Sequence, residues 1–147
     1  MRRTPLAVLF ALALTALIVQ IPAAGADQTF KVIVHPDVEG GQIPRDVLSS
    51  IFLRDALRWG NGNPVQPVDQ SMRAPVRAAF TEQVLSRPFH SMGLVWAQKI
   101  KKGITPPPVK STDADVIAYV ASTKGAIGYV SVGAEVPATV KTLVVID

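Results

Sequence analysis

An α/β fold, with helices interleaved among about four strands around a small mixed sheet, follows from three features of the sequence. β-Branched runs such as "FKVIVHP" and "TVKTLVVI" read as strands. Helical periodicity fills "PVRAAFTEQVL" and "TDADVIAYVAS", and dense Gly, Pro and Asn punctuation separates the two kinds of segment.

The chain of 147 residues opens with Arg2 and Arg3, an apolar run from Leu6 to Ile21, then Pro22 and "AAGA". That order predicts a secretory signal peptide over residues 1–26, cleaved after Ala26, because Ala24 and Ala26 supply the small-residue pattern. The apolar run is shorter than the roughly 20 residues that span a bilayer, which argues against an uncleaved anchor. Residues 27–147 are then expected as one domain with one core in the bacterial periplasm, without stable membrane insertion after cleavage. Two of the four net positive charges lie in Arg2 and Arg3, so the charge balance implies neither a nucleic-acid nor a lipid partner. The chain has no cysteine. Disulfides, thiolate metal sites, a cysteine nucleophile and a lipidated cysteine are excluded.

Phe30 to Pro36 is the first expected strand, buried on at least one face. After the turn residues "DVEGGQ", Pro44 is placed in the first turn of a helix that buries Val47, Leu48, Ile51 and Phe52. "RWGNGNPVQP" reads as a loop leading to an extended segment near Val65 to Val68. A second helix begins with Pro75 in its first turn, buries Val76, Ala79, Phe80 and Val84, and ends near Ser86. "HSMGLVWAQKI" predicts a third helix capped by Ser91, and "KKGITPPPVKS" a proline-stiffened connection. The fourth helix, 112–124, has Thr112 and Asp115 at capping-box spacing, a buried face of Val116, Ile117 and Val120, and a stop at Lys124 and Gly125. "AIGYVSV" and "TVKTLVVI" close the chain as strands.

Few residues offer chemistry. His35 and His90 have no partner at metal-ligand spacing and read as surface or loop histidines, so no metal or other cofactor is expected. Ser131 in "GYVSVG" has the wrong spacing for a nucleophile elbow and lies in a strand pattern. Asp113 and Asp115 suit a helix first turn through the dipole alone. "GNGN" lacks the lysine of a phosphate-binding loop. Trp59 and Trp96 read as core or core-edge aromatics. No enzyme constellation emerges.

"IPRDVLSSIFLRDALRWGNGNPVQPVDQS" and "STDADVIAYVASTKGAIGYVSVG" resemble, in order and spacing, the phosphate-binding solute receptors of bacterial ABC transporters, within the periplasmic binding protein superfamily. The resemblance runs from about Phe30 to Gly133. It implies a single three-layer-like lobe of a type II periplasmic binding protein, a small mixed sheet flanked by helices. In that family the stretch over Val68 to Phe80 is approximately "V-x-R-S-D-G-S-G-T-T-x-x-F", whose polar groups hold phosphate at a helix start. Laid on without a gap, the pattern puts Gln70 at the arginine, Ser71 at the first serine, Arg73 at a glycine, Ala74 at the second serine, Pro75 at the second glycine and Val76 at the first threonine. Gln70, Ser71 and Arg73 are the candidate anion ligands, with Ser71 alone keeping a family group.

Three lost hydrogen bonds at about 1.5 kcal/mol each lower affinity by roughly three orders of magnitude. Family members also close two lobes on the ligand, whereas this chain has length for one. The expected function is an exported solute-binding-like domain that takes phosphate or another small anion weakly. The alternative is a non-enzymatic scaffold that docks on an envelope protein or on a second copy of itself.

Overall fold

The computed structural model describes residues 28–147. The signal-peptide expectation, residues 1–26, lies outside them. A five-stranded sheet is assembled from β1 (Phe30–Val34), β2 (Gln42–Pro44), β3 (Gln66–Pro67), β6 (Ala126–Ser131) and β7 (Lys141–Ile146), in the order β2-β7-β1-β6-β3. β1 runs antiparallel to both β6 and β7, while β2 and β3 add in parallel at the edges, so the sheet is mixed. A separate parallel pair joins β4 (Asp69–Gln70) to β5 (Val109–Lys110).

Both faces of the sheet are covered. Alternation along β1 sends Phe30, Val32 and Val34 to one face, where they meet Leu48, Ile51 and Phe52 of α1 (Arg45–Phe52) and Val76, Phe80 and Val84 of α2 (Pro75–Val84). Ile33 points the other way, into a second cluster with Val130 and with Val116 and Val120 of α4 (Asp113–Ser122). Strand one is therefore buried on both faces, and the helix–sheet–helix arrangement gives the three layers. α4 lies close enough to β6 that a Cβ at Gly128 would stand 2.8 Å from the side chains of both Val116 and Val68.

Several local expectations are corrected. Pro44 ends β2 with extended φ −62° and ψ 142° and precedes α1 instead of lying inside it. β2 is too short for a sequence period, with only three residues, one a proline, which an edge strand tolerates. Val47 is 41 % exposed, since α1 is short and its buried stripe is Leu48, Ile51 and Phe52. α3 (Met92–Lys101) follows a 3₁₀ turn at Phe89–Ser91, and the Ser91 hydroxyl donates to the Pro88 carbonyl at 2.7 Å instead of capping the helix. The Thr112 side chain does cap α4, accepting from the Asp115 N–H at 3.1 Å. That helix stops at Ser122 because Thr123 is already extended. Gly125 has φ +74°, but it shapes the turn into β6 instead of ending the helix. Among the described residues no helix is long and apolar enough to cross a membrane.

Candidate functional site

The chain turns from β4 into α2 through Ser71 to Ala74, beside the start of α4 and the end of β6. Pro75 is the first residue of α2, where its missing N–H breaks no helical bond and its fixed φ suits the helix. The Ser71 N–H donates to the Lys110 carbonyl at 2.9 Å, extending the β4–β5 pairing to the junction. The Ala74 N–H donates to the Ser71 carbonyl at 2.9 Å, and the Arg73 N–H to the Ser71 hydroxyl at 3.3 Å. Ser71 thus organises the turn, and Arg73 is exposed with no ion pair among the described residues.

Gln70 is placed differently from its neighbours, at 1 % exposure. Its amide donates to the Asp113 carboxylate at 2.7 Å and to the Tyr129 carbonyl at 3.0 Å. A primary amide carries two hydrogens, so both are committed within the fold. The same Asp113 oxygen accepts from the Ser131 N–H at 3.1 Å. Asp113 therefore ties α4, β4 and β6 together, a tertiary role beyond the first-turn dipole expected from sequence. Burial pushes its carboxyl up, but the hydrogen bonds from Gln70 and Ser131 outweigh that and hold it below its ordinary value.

A second buried group stands behind Gln70. Asp69 accepts from the Tyr129 hydroxyl and from the Gln70 N–H, and its other oxygen pairs with Arg77 at 3.1 Å. Arg77 also donates to the Gln70 carbonyl at 2.6 Å, so a cation from the first turns of α2 reaches back and clamps the strand before it. Burial raises the Asp69 carboxyl above its ordinary range against the pull of Arg77, Tyr129 and Gln70. Burial, then the Asp69 charge, raise the Tyr129 phenol strongly. Tyr129 is held in place by its ring, stacked on Phe80 at 3.9 Å between centroids and 4° between planes, with Phe52 alongside.

Asp69, Arg77 and Tyr129 were not among the sequence candidates. The available signal was a tyrosine in the otherwise apolar strand "AIGYV", whose hydroxyl needs a partner when buried.

With this geometry in view, likeness to solved structures is informative. No family model and no curated protein sequence matches the chain. An ABC-type phosphate transport receptor from Vibrio cholerae superposes with a TM-score of 0.61 at 14% identity, covering 80% of this chain and 46% of the receptor. PstS from Borrelia burgdorferi does so with a TM-score of 0.61 at 13% identity, over 80% of this chain and 47% of its own. A protein described as a possible phosphate binding protein from Planctomyces limnophilus gives 0.59 at 20% identity, over 81% and 42%.

The fold matches a single lobe of the periplasmic binding protein fold. This chain spans less than half the length of the binding proteins it matches. In this fold, the strand-to-helix junction at residues 70–76 is ordered by Ser71, Asp113 and the Asp69–Arg77–Tyr129 group. Of the three candidates, Gln70 and Ser71 are built into that network, and Arg73 extends beyond it.

Proposed function

We propose that the chain is an exported, non-enzymatic solute-binding-type lobe that holds phosphate or another small anion only weakly, at the start of α2. The observation carrying this reading is that both amide hydrogens of Gln70 are donated internally, one of them to a carboxylate. An anion arriving there finds no donor on Gln70 and meets the negative charge of Asp113. What is left for it is the Ser71 hydroxyl, the Arg73 guanidinium and the positive end of α2, whose first turn carries no acidic residue. Pro75 withholds one backbone N–H.

Thermal unfolding with orthophosphate tests this reading. A site of millimolar affinity gains no more than about 1.4 kcal/mol at about 10 mM ligand, and Arg73→Ala should abolish that gain. Equal stabilisation of wild type and Arg73→Ala would remove Arg73 from the site. The export half of the reading is checked separately by intact mass: the secreted product should begin at Asp27.

A second reading, docking on an envelope protein or on another copy, is favoured by two exposed apolar residues. Met72 at 67 % and Val132 at 55 % exposure directly follow Ser71 and Ser131, the residues at the junction. Sedimentation of the purified chain across a concentration series separates self-association from a monomer that needs a different partner.

A further inference from the structure

Net charge conceals a segregation of charge. Between Glu82 and Asp113 the sequence has no acidic residue and five cations: Arg87, Lys99, Lys101, Lys102 and Lys110. Of these only Lys99 enters an ion pair among the described residues, with Asp55 at 2.7 Å. That pair marks the side of α3 that faces the rest of the fold. Lys99, Met92 and the half-buried Trp96 share the inward side, because positions 92, 96 and 99 fall on one stripe of a helix.

The exposed side of the helix is broader and carries Leu94, Ala97, Gln98, Ile100 and Lys101, with Leu94 at 69 % and Ile100 at 55 % exposure. A surface helix ordinarily turns its polar stripe to water; α3 instead pairs a lysine inward and presents Leu94 and Ile100 outward. The outward residues lead directly into Lys101 and Lys102.

We propose that the outward face of α3, with Arg87, Lys101 and Lys102 at its ends, is a docking surface for an anionic lipid bilayer. Three arguments favour lipid as the occupant. Arg87, Lys101 and Lys102 enter no ion pair among the described residues, so a negative partner is the one that complements them. Aliphatic side chains flanked by lysines on a short helix lying flat are the pattern that settles at the headgroup boundary. A protein interface, by contrast, is depleted in lysine and centres on aromatic residues, whereas Trp96 here is turned inward. The helix has ten residues, so it would lie on the surface and not span it.

The absence of cysteine makes a local readout available. A single environment-sensitive fluorophore is placed on Leu94→Cys and, as the control, on Ala138→Cys, an exposed position in the loop that packs on the α4 side. Vesicles containing phosphatidylglycerol should shift the position 94 emission to the blue and leave position 138 unchanged, and phosphatidylcholine vesicles should shift neither. Any residue before Gln28 that binds lipid is common to both labelled chains, so their contrast isolates α3. Adding Lys101→Gln and Lys102→Gln should raise the lipid needed for half the shift roughly twenty-five-fold, at about five-fold per cation.

Four results would each overturn the proposal: no shift at position 94, an equal shift at position 138, equal response to both vesicle types, or no effect of removing the two lysines. A blue shift on concentrating the protein without lipid would assign the face to a second copy and overturn it as well.

Discussion

Gly125→Ala separates a conformational cost from a packing cost at one residue. Gly125 has φ +74°, a region that penalises any side chain by roughly 1–2 kcal/mol. A Cβ built there would also stand 2.3 Å from the Pro64 carbonyl oxygen, which is backbone and has no rotamer to yield. The displacement would fall on three hydrogen bonds: Gln66 N–H and Trp59 Nε1–H each reach the Gly125 carbonyl at 3.0 Å, and the Gly125 N–H reaches Asp37 at 3.2 Å. Overpacking adds about 1–3 kcal/mol to the backbone term, for a total of about 2–5 kcal/mol.

Gly103→Ala is the control. Its φ of +80° is nearly the same, yet a Cβ there meets nothing within 4 Å, so only the roughly 1–2 kcal/mol backbone term applies. Urea unfolding of the two variants, with equal slopes, should place Gly125→Ala about 1–3 kcal/mol below Gly103→Ala. Indistinguishable losses would refute the claim that the loop at Pro64 is pressed against the turn into β6.

Arg77→Met leaves Asp69 buried without its cation and should destabilise by about 3 kcal/mol, the low end for a broken buried pair because both side chains keep some exposure; urea unfolding near neutral pH measures it. Asp113 sits below its ordinary value of 3.8 in the folded chain, so its contribution is present above that value and is lost as the pH falls through the lower folded one. Melting temperature against pH should therefore fall more gently below 3.8 in Asp113→Asn than in wild type. Asp69, shifted upward by burial, has the opposite sign: its contribution is full below 3.8 and is lost as the pH rises through its folded value.

The parts of the fold that sequence carries well are those with local signals. Pro75 sets the start of α2, Thr112 the start of α4, and β-branched runs mark β1, β6 and β7. β2 was hidden because its pairing with β7 joins residues a hundred positions apart and leaves no period of its own. The end of α4 was misplaced because Lys124–Gly125 has the composition of a helix stop, while the helix is broken earlier by extended Thr123. At the site, Ser71 and Gln70 could be located from the motif alignment. Gln70's partners could not, since Asp113 and Tyr129 lie 43 and 59 residues away and become neighbours only through the sheet. The exposure of Leu94 and Ile100 on α3 is likewise tertiary, following from the burial of Met92 and the Lys99–Asp55 pair on its inward side.

Calorimetric titration of the purified chain with orthophosphate tests the central claim most directly, because affinity reads whether donors at the α2 start face the solvent or the protein. With the Gln70 amide engaged by Asp113 and Tyr129, with Ala74, Pro75 and Val76 adding no side-chain donor, and with the roughly thousandfold loss this implies, Kd should be millimolar or weaker. A micromolar Kd would contradict the account. It would require Arg73, or a second copy of the chain, to supply the grip that Gln70 does not.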